Sequence, residues 1–132
     1  MDAKVLVDTS VWITFFRRKD TDLIERIAAL LRSGKAVYTG IIALELMNGA
    51  KGQKELQTLH EAFDAMQLIA TDETTYLRAG TLGYGLSRGG HTLSAVDLLI
   101  AQTAIENKLS LMTYDEHFRV IAKYSTLTLF EK

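Results

Sequence analysis

Apolar residues fall into two kinds of short block, and the two kinds alternate along the chain. Residues 4–7 (K-V-L-V), 36–38, 67–70, 109–112 and 126–130 are brief aliphatic runs that predict strands. The first is nearly continuous, as in a strand covered on both faces. Between them, apolar positions recur at helical spacing. One helix starts at Thr9 or Ser10, carries Trp12, Phe15 and Phe16, and ends near Arg17, Arg18 and Lys19. A second opens at Asp22-x-x-Glu25, lines up Leu23, Ile27, Leu30 and Leu31, and stops at Gly34. Further helices are predicted over 41–47, 53–66, 73–87, 95–106 and 116–123. Gly80, Gly83 and Gly85 weaken the 73–87 helix, and Gly89-Gly90 ends it. Repeated strand–helix–strand order predicts an α/β fold: a three-layer α/β/α sandwich around a central, mostly parallel sheet of about five strands. No repeat, low-complexity tract or linker divides residues 1–132, so one domain is expected.

Composition narrows the chemistry. A chain of 132 residues can bury about two-thirds of its unfolded surface, and 48% hydrophobic with 23% charged residues is ordinary for a soluble protein. The net charge of -1 excludes a sequence-wide basic field, so any nucleic-acid partner must be held by local patches and bound metal. The absence of cysteine excludes a disulfide framework, a thiolate nucleophile and a Cys-based zinc site. Asp8 interrupts the first apolar run too early for a signal peptide, and no run approaches the ~18 apolar residues of a membrane span. A cytoplasmic protein without membrane contact is the expectation. Proline is absent too, so helix boundaries rest on glycines and capping residues.

Most of the acidic residues sit where solvent is expected, at helix starts or on polar faces. Asp8, Glu45 and Asp97 differ, because each is a lone charge within an apolar run: V-L-V-D-T-S-V-W, I-I-A-L-E-L-M and S-A-V-D-L-L-I-A. A buried, unpaired carboxylate is destabilising by several kcal/mol and tends to stay protonated. A shared divalent cation would compensate all three. Topology favours such a meeting, since ligands in open parallel sheets bind beyond the carboxyl ends of the strands. Asp8 follows the first strand directly, and Asp115 follows the strand ending at Met112. Glu45 lies about one turn into the helix after the second strand, and Asp97 near the start of the helix leading to the 109–112 strand. Each also has a structural alternative. Asp8 can start a helix, Ser94-x-x-Asp97 and Thr113-x-x-Glu116 match capping boxes, Glu45 can lie on an exposed stripe, and Asp115 can sit in a polar loop.

Four segments in order, V-D-T-S-V-W, L-E-L-M-N-G, S-A-V-D-L-L-I-A-Q-T-A and L-M-T-Y-D-E-H-F, resemble the PIN-domain family, and within it the VapC-like toxins of bacterial toxin–antitoxin pairs. The resemblance spans essentially the whole chain. It implies a PIN-like fold and a Mg²⁺- or Mn²⁺-dependent endoribonuclease whose acidic cluster is Asp8, Glu45, Asp97 and Asp115. The family's hydroxyl positions fall on Thr9 or Ser10 and on Thr113. It further implies a homodimer, a cognate antitoxin as inhibitor, and structured RNA such as tRNA as substrate.

An all-oxygen site suits Mg²⁺ or Mn²⁺. Asp8, Asp97 and Asp115 are expected to hold metal, with Glu45 binding metal or orienting the attacking water, and Thr9, Ser10 and Thr113 steadying the carboxylates. RNA contacts are expected from Arg17, Arg18, Lys19, Arg88 and His91, although a basic run at a helix C-terminus also suits the helix dipole. His60 and His117 read as surface or packing residues, and Trp12, Phe15 and Phe16 as core or dimer seam. The competing classes are a catalytically inactive PIN-like RNA- or protein-binding module, a receiver-type phosphoacceptor domain, which lacks here its acidic pair and its Lys-Pro feature, and a haloacid-dehalogenase-like phosphatase, which would need an Asp where Ser10 stands.

Overall fold

Val5–Val7 forms strand β1, and all three side chains are buried, as the unbroken apolar run requires. The computed structural model describes residues 3–131, the greater part of the expected 1–132 domain. Beyond β1 the chain runs through helices α1 (Thr9–Arg17) and α2 (Thr21–Arg32) to β2 (Ala36–Tyr38), then α3 (Gly40–Asn48) and α4 (Gln53–Asp64) to β3 (Gln67–Leu68). Helices α5 (Glu73–Arg88) and α6 (Ala95–Glu106) lead to β4 (Ser110–Met112), and α7 (Glu116–Lys123) leads to β5 (Thr128–Leu129).

Among the described residues these strands form one sheet in the order β3-β2-β1-β4-β5, and each neighbouring pair is parallel. The chain therefore builds outward from β1 in one direction through β2 and β3, then returns and builds the other way through β4 and β5. With right-handed crossovers, the helices of the two halves cover opposite faces, which gives the expected three layers. The core lies between them, with Trp12, Ile27, Ile42, Leu59, Ile100, Phe118 and Ile121 at 1% exposure or less around the buried strands.

Several boundaries move. The strands expected at 4–7, 67–70, 109–112 and 126–130 pair over the shorter spans Val5–Val7, Gln67–Leu68, Ser110–Met112 and Thr128–Leu129. The first helix is capped by Asp8, which accepts the Ser10 amide, while Thr9 and Ser10 lie inside its first turn. Likewise α2 is capped by Asp20 through the Leu23 amide, two residues before the expected Asp22 start. The three glycines of α5 leave its helix whole. At Gly83 an added Cβ would lie 2.5 Å from a Leu98 methyl, so this glycine lets α5 pack closely on α6.

Candidate active site

The strand order reverses at β1, and that is where ligands bind in open α/β sheets. Val7 pairs with Met112, so the residues leaving β1 and β4 emerge side by side. The Asp8 amide donates to the Met112 carbonyl at 2.9 Å, continuing the ladder by one bond. Asp8 is 4% exposed. Its Oδ2 accepts the Ser10 hydroxyl at 2.8 Å, the Thr113 hydroxyl at 2.9 Å and the Ser10 amide at 3.4 Å. Burial is the largest influence on this carboxyl and pushes its pKa above the ordinary value, while these bonds pull the other way without cancelling it.

Thr113 is the hinge of the arrangement. Besides donating to Asp8, its hydroxyl accepts the Asp115 amide at 3.0 Å, and the Ser10 hydroxyl accepts the Tyr114 amide at 3.0 Å. Two short strand-end segments are thus laced together by hydroxyls. The anticipated Thr113-x-x-Glu116 capping box gives way to a cap by Asp115, whose Oδ1 accepts the His117 amide at 2.9 Å.

On α6, Ser94 caps the helix by accepting the Asp97 amide at 3.1 Å. The capping motif uses the Asp97 backbone and leaves its carboxylate for another purpose. Asp97 Oδ2 lies 3.2 Å from His117 Nδ1, which lies 3.4 Å from Asp115 Oδ1. One ligand atom from each of Asp97, Asp115 and His117 falls within 4.8 Å of the others, close enough to hold one ion. His117, read from sequence as a surface or packing residue, stands inside the cluster. Its only signal was its position two residues past Asp115.

Glu45 is exposed, not buried as its apolar neighbours suggested, and Asp97 and Asp115 are only partly covered. Of the three carboxylates found in apolar runs, Asp8 alone is fully buried. Glu45 is nonetheless drawn to the site. Thr9, in the first turn of α1, donates to Glu45 Oε1 at 2.8 Å, and α3 packs on both α1 and α6. Glu45 borders a cleft lined by Ile13, Phe16, Arg17, Leu46 and Leu59. Thr39, which precedes α3, escaped the sequence reading. It is 1% exposed and its hydroxyl has no hydrogen-bond partner among the described residues. It stands two residues past Val37, as Asp8 stands two past Val37's partner Leu6.

The five residues expected to touch RNA are not joined to these carboxylates by any hydrogen bond or ion pair among the described residues. Arg17 donates to Glu55 and to the Gly49 carbonyl, both at 3.1 Å, tying α1 to the start of α4. Arg18 caps the end of α1, and Lys19 is exposed beyond it. Arg88 lies 5.5 Å from the centre of the Tyr84 ring, and the His91 ring packs at 5.0 Å on Tyr124. Trp12 belongs to the core at 1% exposure, with Phe15 and Phe16 packed against it.

The PIN-domain sequence model matches residues 5–124, from β1 into the turn after α7. The chain belongs to the PIN-domain family. This PIN domain is 32% identical over 124 residues to ribonuclease VapC51 of Mycobacterium tuberculosis, a match covering 92% of this chain and 88% of that one. It is 28% identical over 127 residues to ribonuclease VapC11 of the same organism, covering 93% and 95%. In fold it is similar to a chain of the DNA-bound VapBC structure from Salmonella typhimurium, with a TM-score of 0.80 over 98% of both chains at 20% identity. No helix among the described residues of the PIN domain is long and apolar enough to cross a membrane.

Proposed function

We propose that this PIN domain is a divalent-metal-dependent endoribonuclease, the toxin of a toxin–antitoxin pair, which hydrolyses RNA phosphodiester bonds at the end of β1 and β4. The observation that carries the reading is the linked set Glu45–Thr9, Asp8–Thr113–Asp115 and Asp97–His117–Asp115 at the point where strand order reverses. The relatives named as ribonucleases support the activity. The likeness to chains of toxin–antitoxin complexes agrees with a cognate antitoxin as partner.

Among the described residues Asp97, Asp115 and His117 approach closely enough to share one divalent cation, and Asp8 is joined to them through the Thr113 hydroxyl, which bonds its carboxylate and the Asp115 amide. Asp8 is a buried carboxylate whose Oδ2 takes three hydrogen bonds, so its Oδ1 is the atom to offer a ligand. Asp97 and Asp115 supply further oxygens, and the orphaned Thr39 hydroxyl is a buried group suited to bonding an ordered water. Asp8, Asp97 and Asp115 would hold the ion, Mg²⁺ or Mn²⁺. When bound, the cation lowers the pKa of a water and stabilises charge on the phosphoryl oxygens.

The chain's own residues do the remaining work. Ser10 and Thr113 fix the Asp8 carboxylate in one orientation, and the α6 and α7 caps hold Asp97 and Asp115 toward each other. Thr9 engages Glu45 Oε1, leaving Oε2 to orient the attacking water and take its proton. RNA is the substrate, with structured RNA such as tRNA the class to examine first. Arg18, Lys19, Arg88 and His91 are the cationic or ring-bearing groups to test as contacts, while Arg17 is held by Glu55. A homodimer is proposed as well, since Tyr76, Leu77 and Tyr84 of α5 are more than half exposed.

The test is cleavage of a structured RNA by the purified chain with Mg²⁺, with EDTA, and by Asp97→Asn. Cleavage that EDTA stops and Asp97→Asn lacks, in a protein that still melts cooperatively, is the expected result. Cleavage by Asp97→Asn at the wild-type rate would remove that residue from the mechanism. Cation-independent binding of RNA without any cleavage would make this chain a binding module.

A further inference from the structure

Oxygen donors alone do not describe the cluster at the start of α6 and α7. His117 extends from the first turn of α7 with Nδ1, its nearer ring nitrogen, 3.2 Å from Asp97 Oδ2 and 3.4 Å from Asp115 Oδ1. The ring sits there because Asp115 caps α7 by accepting the His117 backbone amide, which brings the base of the side chain over the carboxylate. Among the described residues His117 is the ionisable side chain in hydrogen-bonding contact with the Asp97 carboxylate, and an Asp115 oxygen lies within 4.8 Å as well. The His117 side chain as a whole is 63% exposed, and Nδ1 is the ring nitrogen that meets the carboxylates.

We propose that His117 Nδ1 is a protein ligand to the cation held by Asp97 and Asp115, and that it makes this centre select Mn²⁺ or a similar transition-metal ion over Mg²⁺. The inference rests on the reading of Asp97 and Asp115 as metal ligands. Its physical basis is donor hardness. Mg²⁺ favours oxygen donors and keeps its waters, whereas an imidazole nitrogen adds affinity for transition-metal ions, which rises from Mn²⁺ onward along the series. Two carboxylates and one imidazole therefore form a mixed nitrogen–oxygen set, one donor away from the all-oxygen site that the acidic residues alone suggest. His60 lies exposed on α4 and His91 packs on Tyr124, so His117 is the histidine whose nitrogen faces the carboxylates.

The test uses the full chain and MnCl₂ alone, without RNA. Electron spin echo spectroscopy of the Mn²⁺-loaded protein reads directly whether a nitrogen nucleus is bonded to the ion. Wild type is expected to show ¹⁴N modulation, which His117→Gln removes while still binding Mn²⁺. By calorimetry, His117→Gln is expected to lose about tenfold in Mn²⁺ affinity and little in Mg²⁺ affinity. Tight Mn²⁺ binding with no ¹⁴N modulation in wild type would overturn the role of His117 and reduce it to a salt-bridging group, leaving the carboxylate site intact. Modulation that persists in His117→Gln would overturn it equally. Failure of both wild type and Asp97→Asn to differ in Mn²⁺ binding would overturn the carboxylate reading as well.

Discussion

Replacing the buried carboxylate at the centre of the site should make the protein more stable, provided that no cation is present. Asp8 is 4% exposed, and burial lifts its pKa above the ordinary 3.8 despite the bonds from Ser10 and Thr113. A group whose pKa is raised on folding contributes stability that is fully present below its unfolded pKa and is lost as pH rises through the folded value. Above the ordinary carboxylate range Asp8 is therefore a net cost to the cation-free fold. Each tenfold change in proton affinity corresponds to about 1.4 kcal/mol, or about 4–7 °C of Tm in a domain of this size. Asp8→Asn keeps the shape and an oxygen that can accept from Ser10 and Thr113, but removes the charge. Thermal unfolding followed by circular dichroism in EDTA at pH 7.5 should place Asp8→Asn above wild type, and the gap should shrink toward pH 4. Added Mg²⁺ or Mn²⁺ should reverse the order. A ligand at 100 times its Kd stabilises wild type by about 2.7 kcal/mol, and the variant lacks a donor for it. An Asp8→Asn protein less stable than wild type in EDTA at pH 7.5 would refute the reasoning, because the hydrogen bonds to the charged form would then outweigh its burial.

Other expectations follow from single contacts. Thr113→Val removes the hydroxyl that links Asp8 to the Asp115 amide. It should reduce cation-dependent cleavage about 10- to 100-fold and destabilise by about 1–3 kcal/mol, read by kinetics and urea unfolding. Gly85→Ala adds a methyl group where nothing lies within 4 Å, and should stabilise by about 0.5–1 kcal/mol. Gly83→Ala should gain less or lose, since its Cβ meets Leu98; equal gains in urea midpoint would contradict the close α5–α6 packing. For Glu106, burial raises the pKa, but bonds from Thr75, Gln102 and Arg78 together outweigh it and hold the carboxyl below 4.5. Its stabilisation is present above that value and lost as pH falls through the folded pKa. Glu106→Gln should thus be destabilising at pH 7, with the difference fading as acid protonates the folded carboxyl, and a pH-independent difference in Tm would count against it.

Much of this protein follows from local pattern. The alternation of short apolar runs with helical spacing identifies the elements, because burial on both sheet faces demands a continuous run and burial on one helix stripe demands a period of 3.6. The sharp change of polarity at Asp8 and the polar turn after Met112 likewise mark strand ends, which is why those residues were legible as a site. The Ser94 cap was legible for the same reason, since capping depends on residues three apart.

What needed the fold was every relation across the chain. The Val7–Met112 register decides that Thr113 reaches Asp8, and a slip of one residue would turn that hydroxyl to the other face. The exposure of Glu45 depends on how α3 meets α1 and α6, which its apolar neighbours in sequence cannot reveal. Apart from standing two residues past Asp115, His117 gave no sign of its place, because a histidine on a short amphipathic helix is chemically ordinary until the cap at Asp115 and the approach of α6 bring two carboxylates to its nitrogen. Local composition determines which groups are uncomfortable alone. Only the packing of distant segments determines which of them become neighbours, because the free energy of a charge is set by what surrounds it in space.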